Sequence, residues 1–335
     1  MNWKDKTILI TGGTGSFATN FIRYLIKHNK PKQIRIFSRD EHKQTQFLGN
    51  YGGIRGDRPG DILRGFIGDI RDIDRLRMAM QGVDIVIHAA ALKQVQSCEY
   101  SPFETIKTNV MGAQNIIQAA LENNVEAVIG ISTDKAVSPL NLYGASKMCM
   151  ERLFIAANAY RGTRRTKFLC TRYGNVADSR GTVVHIWREQ VERGEPVAVT
   201  NPDATRFWIT MEEANKFVME VVELTDYLCG GEVVAPMLPS ITVDVLRQAL
   251  VPKAEVRIIG ERIGDKLHEL MVTKEELKHT VKHGNKLVVK PEDPSWPYIF
   301  TGESHGLTED YSSGTNTAYL TVADVCDTLK IAVPV

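Results

Sequence analysis

The segment TILITGGTGSFA, Thr7–Ala18, decides the fold. Its first five residues are apolar or β-branched, as in a buried parallel strand, and a glycine-rich turn follows at once. Apolar residues then recur at helical spacing between Phe21 and Ile26. A strand, a glycine turn and a helix form the dinucleotide-binding fingerprint, in which the helix N-terminus offers N–H groups to the pyrophosphate. Ala18 replaces the usual third glycine, and it is small enough for close helix–strand packing.

Strands and helices alternate along the first half of the chain. Apolar strand patterns cover 33–37, 83–87, 127–131 and 167–171, with helical patterns between them. The alternation predicts an α/β fold, a Rossmann doubly wound parallel sheet. After about Tyr173 the strands shorten and prolines and glycines become frequent, which predicts a smaller C-terminal α/β substrate-binding domain. We assign 1–176 and 205–230 to the dinucleotide-binding domain, and 177–204 and 231–335 to the substrate-binding part.

The end of the second strand indicates which dinucleotide binds. Ser38 and Arg39 precede Asp40, and Lys43 lies one helical turn further on. A lone acidic residue is typical of NAD, whereas a hydroxyl and two cations suit the 2′-phosphate of NADP. We therefore predict NADP, with NAD as the alternative. The cofactor contacts predicted from these motifs and from the small residues after 83–87 are Gly12, Thr14, Gly15, Ser16, Phe17, Ser38, Arg39, Asp40, Lys43, Ala89 and Ala90.

Candidate catalytic residues follow the predicted strand at 127–131. Ser132-Thr133-Asp134-Lys135 stands at its C-terminal end, and Tyr143 and Lys147 follow in a predicted helix. Positions i and i+4 share one helix face, so the ammonium of Lys147 is expected to lower the tyrosine pKa from about 10. Tyr143 is therefore a candidate general base for the oxidation of a hydroxyl. We also predict that Tyr143 and Lys147 contact the cofactor. Asp134 and Lys135 form a separate acid/base pair.

The composition argues against several classes of protein. The 335 residues include 41 basic and 40 acidic side chains, and they form no basic stripe that would bind nucleic acid. No apolar run reaches transmembrane length and no signal peptide is recognisable, so we expect no membrane association. The five cysteines are scattered and lack metal-ligand spacing. We therefore expect reduced thiols, no metal site and a cytoplasmic location.

These motifs resemble those of the extended short-chain dehydrogenase/reductases. Within that superfamily the chain closely resembles the inverting UDP-N-acetylglucosamine 4,6-dehydratases of the PseB type, which open pseudaminic acid synthesis. The discriminating motif is Thr133-Asp134-Lys135, because C5-retaining dehydratases typically carry Thr-Asp-Glu there. The matching stretches are Thr11–Phe17, Phe37–Gln44, Gly68–Asp72, His88–Val95, Lys107–Gly112, Ser132–Lys147, Arg172–Val176, Ser179–Val184, Thr205–Thr210 and Lys266–Glu269.

The resemblance implies an NADP-dependent hydro-lyase that acts on a UDP-sugar and forms a homo-oligomer. It implies that Tyr143 takes the proton of the sugar 4-hydroxyl, that Lys147 holds the phenolate and that Thr133 orients the hydroxyl. The 4-ketone then acidifies the C5 proton, which Lys135 removes, while Asp134 protonates the leaving 6-hydroxyl. Protonation of C5 from the opposite face inverts that centre, and the cofactor is regenerated in each turnover.

Further contacts come from the same resemblance and from arginines in the second half. Arg180, Arg206 and Arg262 are candidate diphosphate ligands, because a guanidinium binds phosphates with a planar fork, although a single arginine is often only a surface charge. The resemblance implies cofactor contacts at Asp69 and Ile70, and substrate contacts at Lys93, Asn175, Val176, Val183, Arg206, Arg262 and Asp265.

The sequence leaves other functions open. One is a 4,6-dehydratase that retains C5 or adds C3 epimerase activity, although the C3-epimerising subgroup has Met in place of Tyr143. Another is a non-enzymatic NADP-sensing scaffold, a class that usually lacks the Tyr or Lys of the pair. Asp265, Asp178 and His185 depart from the family pattern, where Glu, Gly and Pro are usual. These departures affect nucleotide affinity and sugar preference rather than the reaction class.

Overall fold

The computed structural model describes residues 3–51, 62–177, 182–292, 300–331 and 333. Asp178 and Arg180 lie outside the described residues. The strands are β1 (Thr7–Thr11), β2 (Gln33–Ser38), β3 (Leu63–Ile67), β4 (Ile85–His88), β5 (Ala127–Ile131), β6 (Lys167–Thr171), β7 (Asn175–Val176), β8 (Val197–Val199), β9 (Thr205–Ile209), β10 (Val233–Pro236), β11 (Ser240–Thr242), β12 (Val256–Ile258), β13 (Leu270–Val272), β14 (Thr280–His283), β15 (Lys286–Val289) and β16 (Tyr311–Ser312).

Helices connect most of these strands. A π-helical segment, Ile106–Met111, joins the fifth helix to the sixth, and short 3-10 turns span Trp3–Asp5 and Asp134–Ala136. The α-helices are α1 (Ser16–His28), α2 (Glu41–Gly49), α3 (Ile73–Ala79), α4 (Val95–Tyr100), α5 (Pro102–Thr105), α6 (Gly112–Glu122), α7 (Leu142–Tyr160), α8 (Val183–Glu192), α9 (Met211–Leu224), α10 (Val243–Leu250), α11 (Lys274–Leu277) and α12 (Val322–Leu329).

Nine strands of the described chain form one sheet, in the order β14-β15-β10-β6-β5-β4-β1-β2-β3. The seven strands from β10 to β3 are parallel to one another. At the other edge, β15 pairs antiparallel with β10, and β14 pairs antiparallel with β15. The direction of winding reverses at β1, since β2 and β3 lie on one side of it and β4, β5 and β6 on the other. Ligands bind at the C-terminal edge beside such a switch point. The predicted Rossmann fold is confirmed.

Helix α1 packs on the sheet through the residues that set its helical spacing. Phe21, Ile22 and Leu25 are fully buried. Burying a side chain of this kind contributes about 1.5–3 kcal/mol relative to leaving it exposed. Ala18 is only 1% exposed, so the small residue at the third fingerprint position is in close contact with its surroundings. The packing holds the start of the helix against the glycine turn.

Helix α7 carries Tyr143 and Lys147. Its N-cap residue, Asn141, accepts a hydrogen bond from the backbone N–H of Gly144 at 2.8 Å. A Cβ atom at Gly144 would lie 2.1 Å from the carbonyl oxygen of Lys135, so only glycine lets the helix start so close to that loop. The tyrosine–lysine pair is thereby held next to the Thr133–Lys135 segment.

The smaller part of the fold contains short sheets in the described residues. Strands β11, β9 and β7 form one sheet, β12 pairs with β8, and β13 pairs with β16. A second apolar core, separate from that of the large sheet, includes Val184, Trp187, Ile241 and Leu246. This part supplies the loops that lie opposite the C-terminal edge of the parallel strands.

The expected boundary at residue 231 does not separate the strands of the two parts. β10, β15 and β14 follow it in the chain, yet they extend the large sheet. β10 and β15 are buried along their whole length, as strands are when both faces of a sheet are covered. Conversely, β9 belongs to a small sheet, although we assigned 205–230 to the Rossmann domain. Helix α9, from the same range, packs against α1 of the Rossmann domain. The domain assignment otherwise stays a prediction.

Candidate active site

A cavity of about 820 Å³ lies at the C-terminal ends of the central parallel strands. Every residue that we assigned to the cofactor lines it, from Gly12 after β1 to Lys147 in α7. The catalytic candidates Thr133 and Lys135 line it too, as do Lys93, Asn175, Val176, Val183 and Arg262 of the substrate set. The structure therefore brings the two groups of predicted residues to one site.

The glycine turn forms a cradle that fits a dinucleotide. Gly12 has a φ of +66°, and a Cβ atom there would lie 2.8 Å from the Cα of Ala90. Gly15 is the N-cap of α1 and makes no side-chain cap, while its N–H donates to the carbonyl oxygen of Gly12 at 2.8 Å. The first N–H groups of a helix have no acceptor within it, so they are available to an anion. The residues present fit a pyrophosphate.

The residues after β2 form a charged rim of the cavity. Arg39 has 57% of its side chain exposed and lies 3.7 Å from a carboxylate oxygen of Asp69, measured from Nη1. Lys43 pairs with Asp40 at 2.7 Å, and Asp40 also caps α2 by accepting from the Lys43 N–H. Ser38 accepts a hydrogen bond from Gln44 at 3.2 Å. Two exposed cations, each beside a carboxylate, and a hydroxyl thus line this part of the cavity, and the choice of NADP over NAD stays a prediction.

Tyr143 and Lys147 are buried in the wall of the cavity. Burial raises the pKa of Tyr143 to about 12, although Lys135 and a hydrogen bond with Thr133 oppose this rise. Burial also lowers the pKa of Lys147 to about 8, and Cys170 and Glu151 oppose that fall. We expected Lys147 to depress the tyrosine pKa, but here the opposing cation is Lys135. The pKa of Tyr143 is raised and that of Lys147 is lowered because desolvation disfavours the charged form of each group.

Lys135 is held by three acceptors. Its Nζ lies 3.2 Å from Oδ1 of Asp134, 3.1 Å from Oε1 of Glu269 and 3.4 Å from Oδ1 of Asn175. Burial by itself lowers the pKa of Lys135, but the carboxylates of Asp134 and Glu269 outweigh it, and the net pKa is raised. Lys135 is therefore an ammonium in this arrangement, with 23% of its side chain exposed.

Asp134 lies behind Lys135 and does not line the cavity. It is fully buried, and its Oδ1 accepts a hydrogen bond from the Thr133 hydroxyl at 2.9 Å. Its Oδ2 is buried without a hydrogen-bond partner. Burial and then the charge of Glu269 raise the pKa of Asp134 against the opposing charge of Lys135. A carboxyl group in such surroundings favours the protonated form.

Glu269 is a site residue that our assignment of single residues omitted. It is 2% exposed and pairs with Lys135 across 3.1 Å. Arg206 and Lys266 are each 3.8 Å from its carboxylate. The only signal in the sequence was its place at the end of the matching stretch Lys266–Glu269.

Two expected substrate residues do not line the cavity. Arg206 donates to the backbone oxygens of Thr205 at 2.7 Å and Leu267 at 3.2 Å, beside Glu269. Asp265 accepts from the N–H of Arg262 at 3.4 Å and so shapes the turn that carries this arginine. Both lie next to the site, and their contact with a substrate stays a prediction.

The chain resembles known proteins over most of its length. A family model described as polysaccharide biosynthesis protein matches residues 8–291. An inverting UDP-N-acetylglucosamine 4,6-dehydratase of Campylobacter jejuni is 40% identical over 98% of both chains. A UDP-glucose 4-epimerase of Rickettsia massiliae is 39% identical, covering 97% of this chain and 95% of its own length.

Solved structures show the same architecture. The structure of Pen from Bacillus thuringiensis has a TM-score of 0.88 at 30% identity and covers 98% of both chains. The dTDP-glucose 4,6-dehydratase DesIV from Streptomyces venezuelae, solved with NAD bound, has a TM-score of 0.65 at 22% identity. It covers 78% of this chain and 86% of its own, and at that identity it shows the fold alone.

The chain therefore belongs to the extended short-chain dehydrogenase/reductase family, within the group described as polysaccharide biosynthesis proteins. The relatives described above are named as a dehydratase and an epimerase of nucleotide sugars. The 40% identity over nearly the whole chain confirms the resemblance to the inverting 4,6-dehydratases. In the described part of the chain, no helix is both long and apolar enough to cross a lipid bilayer.

Proposed function

We propose that this protein is a UDP-N-acetylglucosamine 4,6-dehydratase that inverts C5 and yields UDP-2-acetamido-2,6-dideoxy-β-L-arabino-hexos-4-ulose. The observation that carries the proposal is Lys135, which lines the same cavity as Tyr143 and is paired from behind with the buried Asp134 and Glu269. An epimerase at C4 needs only oxidation and reduction of one carbon. A dehydratase also needs an acid and a base, and this cluster provides both.

NADP is the cofactor that we propose for the site. Gly12, Gly15 and the start of α1 would hold its pyrophosphate, and Ser38, Arg39 and Lys43 its 2′-phosphate. When bound, it would supply a hydride acceptor for C4 and a hydride donor for C6, so that no net oxidation occurs. Solved relatives of this fold hold NAD, and the preference for NADP rests on the two cations after β2.

Tyr143 acts first in the proposed reaction. Its phenolate takes the proton of the sugar 4-hydroxyl, and Thr133, which hydrogen-bonds the phenol, orients that hydroxyl. The high pKa of the buried phenol, about 12, means that a nearby positive charge has to favour the phenolate. Lys135 provides that charge, and in this proposal Lys147, on the same helix face, helps to hold the phenolate.

Asp134 and Lys135 act in the elimination. Oxidation at C4 acidifies the C5–H bond, and the small fraction of Lys135 that is present as the neutral amine takes that proton. Asp134, whose pKa is raised by burial, is suited to give its proton to the 6-hydroxyl, which leaves as water. Lys93, Asn175, Val176, Val183 and Arg262 surround the sugar nucleotide in this proposal, with Arg206 and Asp265 next to them.

The biological setting is part of the proposal. The product is the first intermediate of pseudaminic acid-type sugars, and we propose a cytoplasmic enzyme. We also propose a homo-oligomer, since Tyr100, Phe103 and Met111 expose 91%, 61% and 53% of their surface along α4, α5 and the π-helical segment. Such a cluster of apolar side chains favours contact with a second copy.

Mass spectrometry of the reaction with UDP-N-acetylglucosamine tests the proposal. We expect a product that has lost one water, with no net formation of reduced cofactor. A product of unchanged mass would contradict the proposal and favour the C4 epimerase that several relatives are named for. A dehydrated product obtained only from another nucleotide sugar would keep the reaction class and change the substrate.

A further inference from the structure

We propose that Glu269 is a positioning residue that acts through Lys135: it holds the Lys135 amine at the cavity wall and sets the pH range in which that amine can remove a proton. The catalytic part of this inference rests on the proposed function. Its physical part, a charge coupling between two side chains, does not. No role was assigned to Glu269 from the sequence.

The geometry places the carboxylate of Glu269 where it controls the lysine. Lys135 Nζ is 3.1 Å from Glu269 Oε1 and 3.2 Å from Asp134 Oδ1. With Asn175 Oδ1 at 3.4 Å, each of the three ammonium N–H donors has an acceptor. The amine therefore has a fixed position. Asp134 and Lys135 are adjacent in sequence, whereas Glu269 approaches from a distant segment.

Glu269 is itself held firmly in the smaller part of the fold. Its N–H donates to Oγ of Ser313 at 2.9 Å, and the N–H of Ser313 donates to the Glu269 carbonyl oxygen at 2.8 Å. Ser313 Oγ also lies 2.8 Å from Oγ1 of Thr205. These bonds join three separate segments at the backbone of Glu269. Its carboxylate is held in turn by the ion pair with Lys135.

Several charged groups face Lys135 and Glu269. Glu269 is on the negative side, joined by Asp134 when that group is ionised, and Arg206 and Lys266 are on the positive side. Tyr143 faces Lys135 from α7, since the charge of Lys135 acts on its phenol. Burial alone would raise the pKa of Glu269, but Lys135, Arg206 and Lys266 together lower it, so Glu269 stays a carboxylate.

The proton balance gives this carboxylate two opposite effects. Before the reaction, Glu269 favours the ammonium of Lys135, so the free amine appears only at higher pH. During the elimination, the C5–H electron pair moves into the C4–C5 enolate and expels the 6-hydroxyl, which takes the Asp134 proton. Lys135 becomes an ammonium in the same step, and Glu269 stabilises that new charge. Removal of Glu269 should free the amine at lower pH and make it a weaker base.

The variant Glu269→Gln tests the coupling, because the amide keeps an oxygen acceptor and loses the charge. We expect the acid limb of the pH–rate profile for water loss to move down by about one pH unit or more. The rate on the plateau should fall roughly tenfold, since a weaker base removes a proton more slowly. Single-turnover formation of reduced cofactor should change little, as it depends on Tyr143.

Glu269→Asp and Glu220→Gln complete the comparison. Aspartate keeps the charge one methylene further away, so its acid limb should stay near that of the wild type while the rate falls. Glu220→Gln removes a carboxylate from the Glu220–Lys286 pair, which lies 2.5 Å apart and outside the cavity. It should leave the profile unchanged. If Glu269→Gln does not fold, Glu269→Asp tests the proposal by itself. An acid limb that moves down in Glu269→Asp as far as is expected for complete loss of the charge would overturn the proposal.

A direct titration separates this inference from the proposed function. In full-length protein labelled with ¹³C at lysine Cε, Lys135→Arg identifies the Lys135 signal. We expect this signal to keep its ammonium shift up to about pH 10 in the wild type and to titrate at lower pH in Glu269→Gln. Identical titrations in both proteins would overturn the inference. If the wild type dehydrates no nucleotide sugar, the proposed function fails, and the titration still decides the coupling.

Discussion

Two lysines in the wall of one cavity have opposite surroundings. Lys147, in α7, is 2% exposed, and its Nζ lies 3.2 Å from the sulfur of Met150. Lys135, after β5, lies between the carboxylates of Asp134 and Glu269. Burial lowers the pKa of Lys147 to about 8, whereas the two carboxylates raise that of Lys135.

The partners of each lysine therefore decide its chemistry more than its burial does. Glu151 lies one turn after Lys147, but Arg172 binds it at 2.7 Å and neutralises it. Lys147 is left with a pKa lowered to about 8, so it is still an ammonium at neutral pH but loses its proton more easily than Lys135. Lys135 shares the Glu269 carboxylate with Arg206 and Lys266, which each lie 3.8 Å from it, and its raised pKa keeps it an ammonium at neutral pH.

The largest effect is expected for Tyr143→Phe, which removes the step on which both lysine regions depend. Turnover should fall roughly 1,000-fold or more, because no base takes the 4-hydroxyl proton. The variant should fold and bind cofactor, since only a hydroxyl is lost. Product formation and cofactor content measure this. Turnover close to that of the wild type would end the role of Tyr143.

Lys135→Ala and Asp134→Asn separate the two regions. Water loss should fall at least about 100-fold, while oxidation at C4 by the Tyr143 region persists. Reduced cofactor should then accumulate and absorb in the near ultraviolet after UDP-N-acetylglucosamine is added. A Lys135→Ala enzyme that dehydrates at the normal rate would show that Lys135 is only a counter-ion of Asp134.

Stability measurements sharpen the contrast between the lysines. The folded-state pKa of Lys147 is lowered from 10.5 to about 8, so its burial destabilises the protein below pH 8, and this penalty disappears as pH rises to 10.5. Lys147→Met should raise the free energy of unfolding at pH 7 by up to about 3 kcal/mol, and by much less at pH 10.

Lys135→Met is the matched control for that experiment. The folded-state pKa of Lys135 is raised, so its contribution to stability is present below its unfolded pKa of 10.5 and is lost only as pH rises beyond it. This variant should therefore destabilise the protein at pH 7. Urea unfolding at pH 7 and pH 10 measures both variants. A change of the same sign in both would contradict the comparison.

The smallest effect is expected at the exposed rim of the cavity. Arg39→Ala should weaken NADP binding about tenfold and NAD binding little, because only NADP offers a 2′-phosphate. The side chain of Arg39 is 57% exposed, which limits the effect. Calorimetric titration of both cofactors measures it. Equal affinity of the wild type for NADP and NAD would remove the basis of the NADP assignment.

Local signals were enough to predict the cofactor half of this molecule. The segment Thr7–Ala18 folds as strand, turn and helix because its apolar spacing and glycines act over a few residues. Lys135 was found in the same way, as it follows a buried strand directly. In each case the chemistry is visible within about ten residues of the motif.

The remaining features depend on segments far apart in the chain. Glu269 reaches Lys135 only because Ser313 and Thr205 hold its backbone and β13 pairs with β16. The strand pairing that adds β10 and β15 to the large sheet is equally distant, so local sequence patterns did not predict it. The high pKa of Tyr143 required knowledge of its burial.

The central claim is that this cavity eliminates water and inverts C5. One NMR time course with UDP-N-acetylglucosamine in heavy water tests it most directly. We expect a 4-keto, 6-deoxy product with solvent deuterium at C5 and the L-arabino configuration. A product that retains the D configuration at C5 would assign the protein to the retaining dehydratases, and a C4 epimer that keeps its 6-hydroxyl would contradict the account altogether.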